Sequence, residues 1–227
     1  MALVNVREVY PGVSLGLWQM EETIEELYGL YPWLGAYRPI LDKQFKNESR
    51  KREFLSVRIL LHEMLLMAGY TEAQISKIGE IRHDEVGKPL LKGFRVSISH
   101  TKGYAALVIS KAKEVAVDIE YLSDRVKRIA SKFLRKDEKA DGLDSLLVHW
   151  CCKETVYKLF SSENLLFHEM RVKSFDVMAD WNCEVENLKS KKKVVVDFEL
   201  TMEFVLAYAA LQGDGTSAKK CPQSVKK

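Results

Sequence analysis

The last third of the chain most narrows the folds open to it. Residues 171–178, 183–188, 194–200 and 203–211 are four β-prone segments, rich in β-branched and aromatic residues, with only turn-length gaps between them. Gaps that short cannot hold the crossover of a dozen or more residues that a parallel pair requires, so the four segments are expected to run as an antiparallel meander.

Upstream, 13–18, 96–99, 104–110 and 115–120 read as strands, and the last is read as the hairpin partner of 104–110. Helical patterns cover 21–30, 48–68 with Gly69 as C-cap, 124–134 with Asp124 as N-cap, and 144–160. Residues 31–35 are turn-rich, and Asp84-Glu85-Val86-Gly87-Lys88-Pro89 is a turn between extended pieces. Each half therefore holds both helix and sheet, which is an α+β arrangement, without enough self-similarity to count as a repeat. The 227 residues suffice for one large domain or two small ones. From Gln212 onward the chain is rich in Gly, Ser and Lys and reads as a disordered tail.

Two stretches about thirty residues apart carry the chemistry. In Ala116-Val117-Asp118-Ile119-Glu120 the acids alternate with apolar residues, so on a strand both leave one face. In Trp150-Cys151-Cys152-Lys153-Glu154-Thr155-Val156-Tyr157-Lys158, Trp150, Glu154 and Lys158 stand at i, i+4 and i+8, one side of a helix. Taken alone, the first is two acids at a strand end, and the second is a helical ion pair worth about 0.3 kcal/mol. Together, three carboxylates and an ammonium can converge on a hard cation and a phosphorylated ligand. Ser97-Ile98-Ser99-His100-Thr101 adds a histidine among hydroxyls just past a strand, able to donate to a phosphate, and Lys88 adds a cation in a stiff turn. Arg50, Lys51, Arg52 and Arg58 lie along the 48–68 helix, either as a solvated face or as flanks for a phosphate.

Other classes recede. The net charge of +3 and the absence of a recognition motif argue against nucleic acid as partner. No apolar run is long enough to span a membrane. The four cysteines lack metal-ligand spacing, and with no signal peptide they are expected to be reduced thiols of a cytoplasmic protein. Cys151 and Cys152 have only His149 near them in sequence and are expected to pack as small apolar groups.

Taken in order, Arg52-Glu53-Phe54-Leu55-x-x-Arg58, Gly87-Lys88-Pro89, Ser97-Ile98-Ser99-His100-Thr101, Val117-Asp118-Ile119-Glu120 and Trp150-x-x-Lys153-Glu154-x-x-x-Lys158 resemble the 4'-phosphopantetheinyl transferase superfamily, of the two-lobed, Sfp-like kind. The resemblance spans about 50–158. It departs at Ala116, where the family often has glycine, and at Thr155, where alanine or serine is commoner; neither change removes a chemical group.

The resemblance implies two similar α/β lobes forming a pseudo-dimer, mainly antiparallel sheets with packed helices: an N-terminal lobe over 1–110 and a C-terminal lobe over 111–211 carrying the metal site. It implies Mg²⁺-dependent transfer of 4'-phosphopantetheine from coenzyme A to a serine of an acidic apo carrier protein, acyl or peptidyl, releasing 3',5'-ADP. Asp118, Glu120 and Glu154 would hold the Mg²⁺. Lys158, His100 and Lys88 would meet phosphate oxygens with Ser99 beside them, and Arg52 and Arg58 would take the 3'-phosphate or adenosine end. Glu154 and Lys158 would be the catalytic pair, with the serine proton going to Glu154 directly or through a cation-bound water. A monomer is expected, since one chain carries both halves. The rival expectation is a non-catalytic relative that only binds coenzyme A or the carrier.

Overall fold

A computed structural model of the chain describes residues 3–212. In chain order the elements are β1 (Leu3–Tyr10), β2 (Val13–Gln19), α1 (Ile24–Leu30), a 3-10 turn over Pro32–Tyr37, α2 (Arg38–Gln44), α3 (Glu48–Met67), α4 (Glu72–Ile78), and the short hairpin strands β3 (Arg82–His83) and β4 (Pro89–Leu90). There follow β5 (Arg95–Thr101), β6 (Tyr104–Ser110), β7 (Glu114–Tyr121), α5 (Arg125–Phe133), α6 (Gly142–Leu159), β8 (Met170–Val172), β9 (Asn182–Asn187), β10 (Lys192–Leu200) and β11 (Phe204–Leu211).

The fold is α+β and two-lobed, built on antiparallel sheets. The first lobe has the order β1-β2-β6-β5 and the second β7-β11-β10-β9-β8. The last four strands form the expected meander. The lobes share a plan: a first strand, then helices, then a hairpin whose second strand returns beside the first. In order across the sheet this gives β2-β6-β5 in one lobe and β7-β11-β10 in the other.

The expected pairing of 115–120 with 104–110 is corrected. Both edges of β6 are taken, by β2 and β5, and β7 pairs instead with β11, Asp118 opposite Ala207 and Glu120 opposite Val205. A hairpin is the short-range solution; the long return of β11 wins because it closes the second sheet. Asp124 flanks α5 as expected but makes no side-chain cap; Ser123 Oγ accepts from Arg125 N at 3.2 Å instead. β1, α2 and α4 add to the expected elements. Thr71 and Gln74 form a capping box at the start of α4, a signal legible in the sequence. The expected tail, Gln212 apart, lies outside the described residues.

Three apolar cores result. α3 packs on one face of the first sheet through Leu55, Ile59 and Leu60. α5 and α6 cover the second through Phe133, Val148, Cys152 and Val156. Between the lobes, Leu15, Leu17, Ala106 and Val108 of the first sheet meet Val117, Ile119, Leu206 and Tyr208 of the second. Polar ties frame this seam: Arg7 with Glu199, Tyr104 with Glu203, and Tyr10 with the buried Asp197. Gly16 lets α3 lie close on β2, since a Cβ there would stand 2.5 Å from Met64 Sδ. The seam matters for function because β7, which bears the acids, forms part of it.

Candidate active site

β7 and α6 meet side by side, and their polar faces interlock. Trp150 Nε1 donates to Glu120 Oε1 at 3.1 Å. One helical repeat further on stands Glu154, and one more brings Lys158, whose Nζ donates to Asp118 Oδ1 at 2.8 Å and to Val117 O at 2.9 Å. Ser99 of β5 donates to the same Asp118 oxygen at 2.9 Å. The i, i+4, i+8 face and the i, i+2 face inferred from sequence thus do converge.

The electrostatics show how tightly. Glu154 is pushed up to about 7, first by burial and then by the negative charge of Asp118 and Glu120, with Lys158 pulling the other way. Glu120 is also raised, by burial and by Asp118, against the Trp150 hydrogen bond. Three acids in one partly dry place repel one another, and a single ammonium offsets only part of that charge.

The residues suit a cation by a specific mark: Asp118 Oδ2 is buried and accepts no N–H or O–H hydrogen bond, the Cys151 thiol beside Asp118 being only a weak donor, and such an oxygen costs free energy unless something binds there. Oxygen-only donors from Asp118, Glu120 and Glu154 are the chemistry of Mg²⁺. Among the described residues, no three His, Cys, Asp or Glu side chains stand gathered as a finished cage. Lys158 occupies Asp118 Oδ1, and Trp150 donates to Glu120 Oε1.

The first lobe supplies the facing wall. A cavity of about 240 Å³ is lined by Gly87, Lys88, Ser97, Ile98, Tyr157 and Lys158, so cations from both lobes border it. Lys88 also reaches Glu114 at 3.8 Å. Across Ile98 lies a second cavity of about 150 Å³, lined by Arg50, Glu53, Phe54, Arg58, Ile98 and His100 among others. His100 Nδ1 is 3.5 Å from Glu53 Oε2 and its Nε2 is 3.5 Å from Arg50 Nη1; burial holds its pKa below the usual value.

The structure sorts the sequence-predicted residues. It brings together Asp118, Glu120, Glu154 and Lys158, and borders the adjoining cavities with Lys88, Arg58 and His100. Ser99 turns its hydroxyl to Asp118 rather than into either cavity. Arg58 is buried, its guanidinium 3.0 Å above the Phe54 ring, and desolvation brings it down to about 10. Arg52 lies on α3 two residues from Arg50 and therefore on another side of the helix, away from these cavities. Arg50 borders the His100 cavity.

Two structural roles escaped sequence reasoning. Lys153 is fully buried with Glu138 at 2.7 Å, and its Nζ also donates to Phe133 O and Phe167 O. Glu138 in turn accepts from Arg135 N and Val172 N, so this pair staples α6 to α5 and β8. Trp150 packs between Phe133 and Phe167, ring centroids 5.1 Å from each, which fixes its N–H on Glu120. The aromatic i−4 to Glu154 was the available signal. Cys151, Cys152 and Cys183 are free and buried, and burial pushes the Cys151 and Cys152 thiols well above the ordinary range, so as nucleophiles they are inert.

Comparison with known families gives two matches. The model of the 4'-phosphopantetheinyl transferase superfamily matches residues 114–209. The model of the 4'-phosphopantetheinyl transferase N-terminal domain matches residues 43–110. No curated protein matches the chain.

Proposed function

The chain belongs to the 4'-phosphopantetheinyl transferase superfamily, and on that premise we propose that it moves 4'-phosphopantetheine from coenzyme A to a serine of an apo carrier protein in a Mg²⁺-dependent reaction that releases 3',5'-ADP. One observation carries the reading: three mutually repelling carboxylates from β7 and α6, one of them with a bare buried oxygen, beside a cavity that cations from both lobes border.

In this reading Asp118, Glu120 and Glu154 would hold the Mg²⁺, which when bound would supply charge neutralisation at the diphosphate. Lys158 and Lys88 hold the phosphates from opposite lobes, and His100, Arg50 and Arg58 take the nucleotide end. The serine oxygen forms a bond to the β-phosphorus as the bond from that phosphorus to the ADP oxygen breaks. The serine proton passes to Glu154 directly or through a cation-bound water, since a carboxylate that also holds the cation is a weaker base than the raised value of the metal-free site implies. Positioning between lobes provides most of the rate, as in phosphoryl transfer generally. A site shared by two lobes of one chain is complete in a monomer, with the first lobe over 1–110 and the metal-bearing lobe over 111–211.

The partner is an acidic carrier. The exposed face of α5 presents Arg125, Lys127, Arg128 and Lys132, and it adjoins a cavity of about 230 Å³ lined by Glu120, Arg125, Val126, Ile129, Leu147 and Trp150. Positive charge beside this recess suits an acidic surface that delivers a serine to Glu120's side of the site. No helix among the described residues is long and apolar enough to cross a membrane. The unpaired thiols suit a reducing compartment, and the cytoplasm is the compartment proposed.

The test is incubation with coenzyme A, Mg²⁺ and a panel of apo carrier proteins, read by intact mass. A gain of one phosphopantetheine, stopped by EDTA and restored by Mg²⁺, is expected. Binding of coenzyme A without any mass gain across the panel would favour a non-catalytic relative, and full turnover in metal-free buffer would contradict the metal role.

A further inference from the structure

β5 and β7 are neighbouring strands of different sheets: β5 pairs with β6, β7 with β11, and among the described residues no main-chain ladder joins them. Hydroxyls join them instead. Ser97 Oγ accepts from Val117 N at 3.2 Å, Ser99 Oγ donates to Asp118 Oδ1 at 2.9 Å, and Thr101 Oγ1 accepts from Tyr121 N at 3.0 Å. The three hydroxyls alternate along β5 and so leave one face. His100, between two of them, points the other way, into the cavity it shares with Arg50. A single strand therefore presents the nucleotide-side histidine on one face and grips the acid-bearing strand with the other.

The grip is selective. Ser99 and Lys158 both bond Asp118 Oδ1, which leaves Oδ2 as the bare oxygen. A carboxylate held at one oxygen by two donors from different elements cannot rotate freely, and its second oxygen points in one fixed direction. Ser97 meanwhile satisfies Val117 N, the residue whose carbonyl takes the other Lys158 hydrogen bond. The hydroxyl row and Lys158 thus hold the outer edge of β7 together.

We propose that Ser97, Ser99 and Thr101 are positioning residues: their hydroxyl row sets the register between the lobes, and Ser99 orients Asp118 so that its free oxygen is the one offered to the cation. This rests on the reading of Asp118 as a metal-holding acid. It assigns Ser99 to the acid and not to coenzyme A, and it gives the alternating hydroxyls of β5 a role that an ordinary surface strand would not need. A backbone ladder would give register, but not a donor aimed at a carboxylate.

The test compares Ser99→Ala, Ser99→Thr, Thr101→Val and Asp118→Ala in the full chain. Steady-state kinetics with coenzyme A, Mg²⁺ and an apo carrier are read together with Mn²⁺ binding by calorimetry and thermal unfolding. Ser99→Ala is expected to lower kcat about tenfold, the effect of one hydrogen bond to a charged acceptor, with KM for coenzyme A unchanged. Mn²⁺ affinity is expected to fall severalfold in Ser99→Ala and to return in Ser99→Thr, which keeps the hydroxyl. Thr101→Val, milder and at the half-buried end of the row, is expected to lower kcat about threefold with the same unchanged KM. A raised KM with intact kcat in Ser99→Ala would make Ser99 a substrate contact and overturn the proposal. Wild-type kinetics in both Ser99→Ala and Thr101→Val, beside a dead Asp118→Ala, would also overturn it while leaving the metal site standing. Activity retained in Asp118→Ala would remove the site itself and the positioning role with it.

Discussion

Replacing Glu154 by Gln should make the metal-free protein more stable at alkaline pH while abolishing transfer. In the fold its carboxyl rises from 4.5 to about 7 because burial, Asp118 and Glu120 all disfavour the charge. Each unit is worth about 1.4 kcal/mol, so keeping the carboxylate charged costs the apo fold roughly 3 kcal/mol. Part of the side chain reaches solvent, and screening lowers this to about 1–2 kcal/mol. The sign follows from linkage. An acid raised in the native state favours folding where it is protonated, so the wild type loses stability as pH climbs from about 4.5 to about 7 and stays at the lower level above. Gln carries no charge at any pH. Thermal unfolding in EDTA should therefore show equal Tm for wild type and Glu154→Gln near pH 4.5, and a Tm higher by roughly 3–6 °C for the variant at pH 8. Added Mg²⁺ should raise the wild type and not the variant, closing the gap. A Glu154→Gln protein less stable than wild type at pH 8, or a difference that does not change with pH, would refute the picture of three acids crowded in one dry place.

Lys153→Met should cost about 3–5 kcal/mol, a fall of roughly 10 °C in Tm, because it leaves Glu138 charged and buried without its partner; the double variant with Glu138→Gln should recover most of it in the same melt. Trp150→Phe keeps the ring stack but removes the donor to Glu120, so the Mg²⁺ concentration for half-activation should rise about tenfold with KM for coenzyme A unchanged; a Mg²⁺ titration checks it. Arg50→Ala should raise KM for coenzyme A about tenfold, whereas Arg52→Ala should change it by less than about twofold; the reverse ranking in steady-state kinetics would put the nucleotide end on the other side of α3.

How far the site was legible depended on range. Asp118 and Glu120 share a face because strands repeat every two residues, and Trp150, Glu154 and Lys158 share one because helices nearly repeat every four; both facts are local. That the two faces meet is not local, and neither is the exchange of partner by which β7 abandons β6 for β11. Arg50 and Arg52 look alike in a run of basic residues, and only the placement of α3 tells which one borders the His100 cavity. Nothing local marks Lys153 as buried, and only the loop after α5, which folds Glu138 onto it from fifteen positions away, makes it so. Ser99 enters through the resemblance alone, beside the phosphate contacts, and that its hydroxyl donates to Asp118 is decided only when β5 and β7 come together.

By itself the sequence determined the kinds of element, the chemical groups on each face and their order along the chain, since these follow from residue type and the short periods of helix and strand. Tertiary structure decided which edges pair, which charges go dry, and which oxygen of Asp118 is left bare. Those outcomes depend on closing long loops and removing water from groups far apart in sequence. The free energies involved belong to the assembled fold and to no segment taken alone.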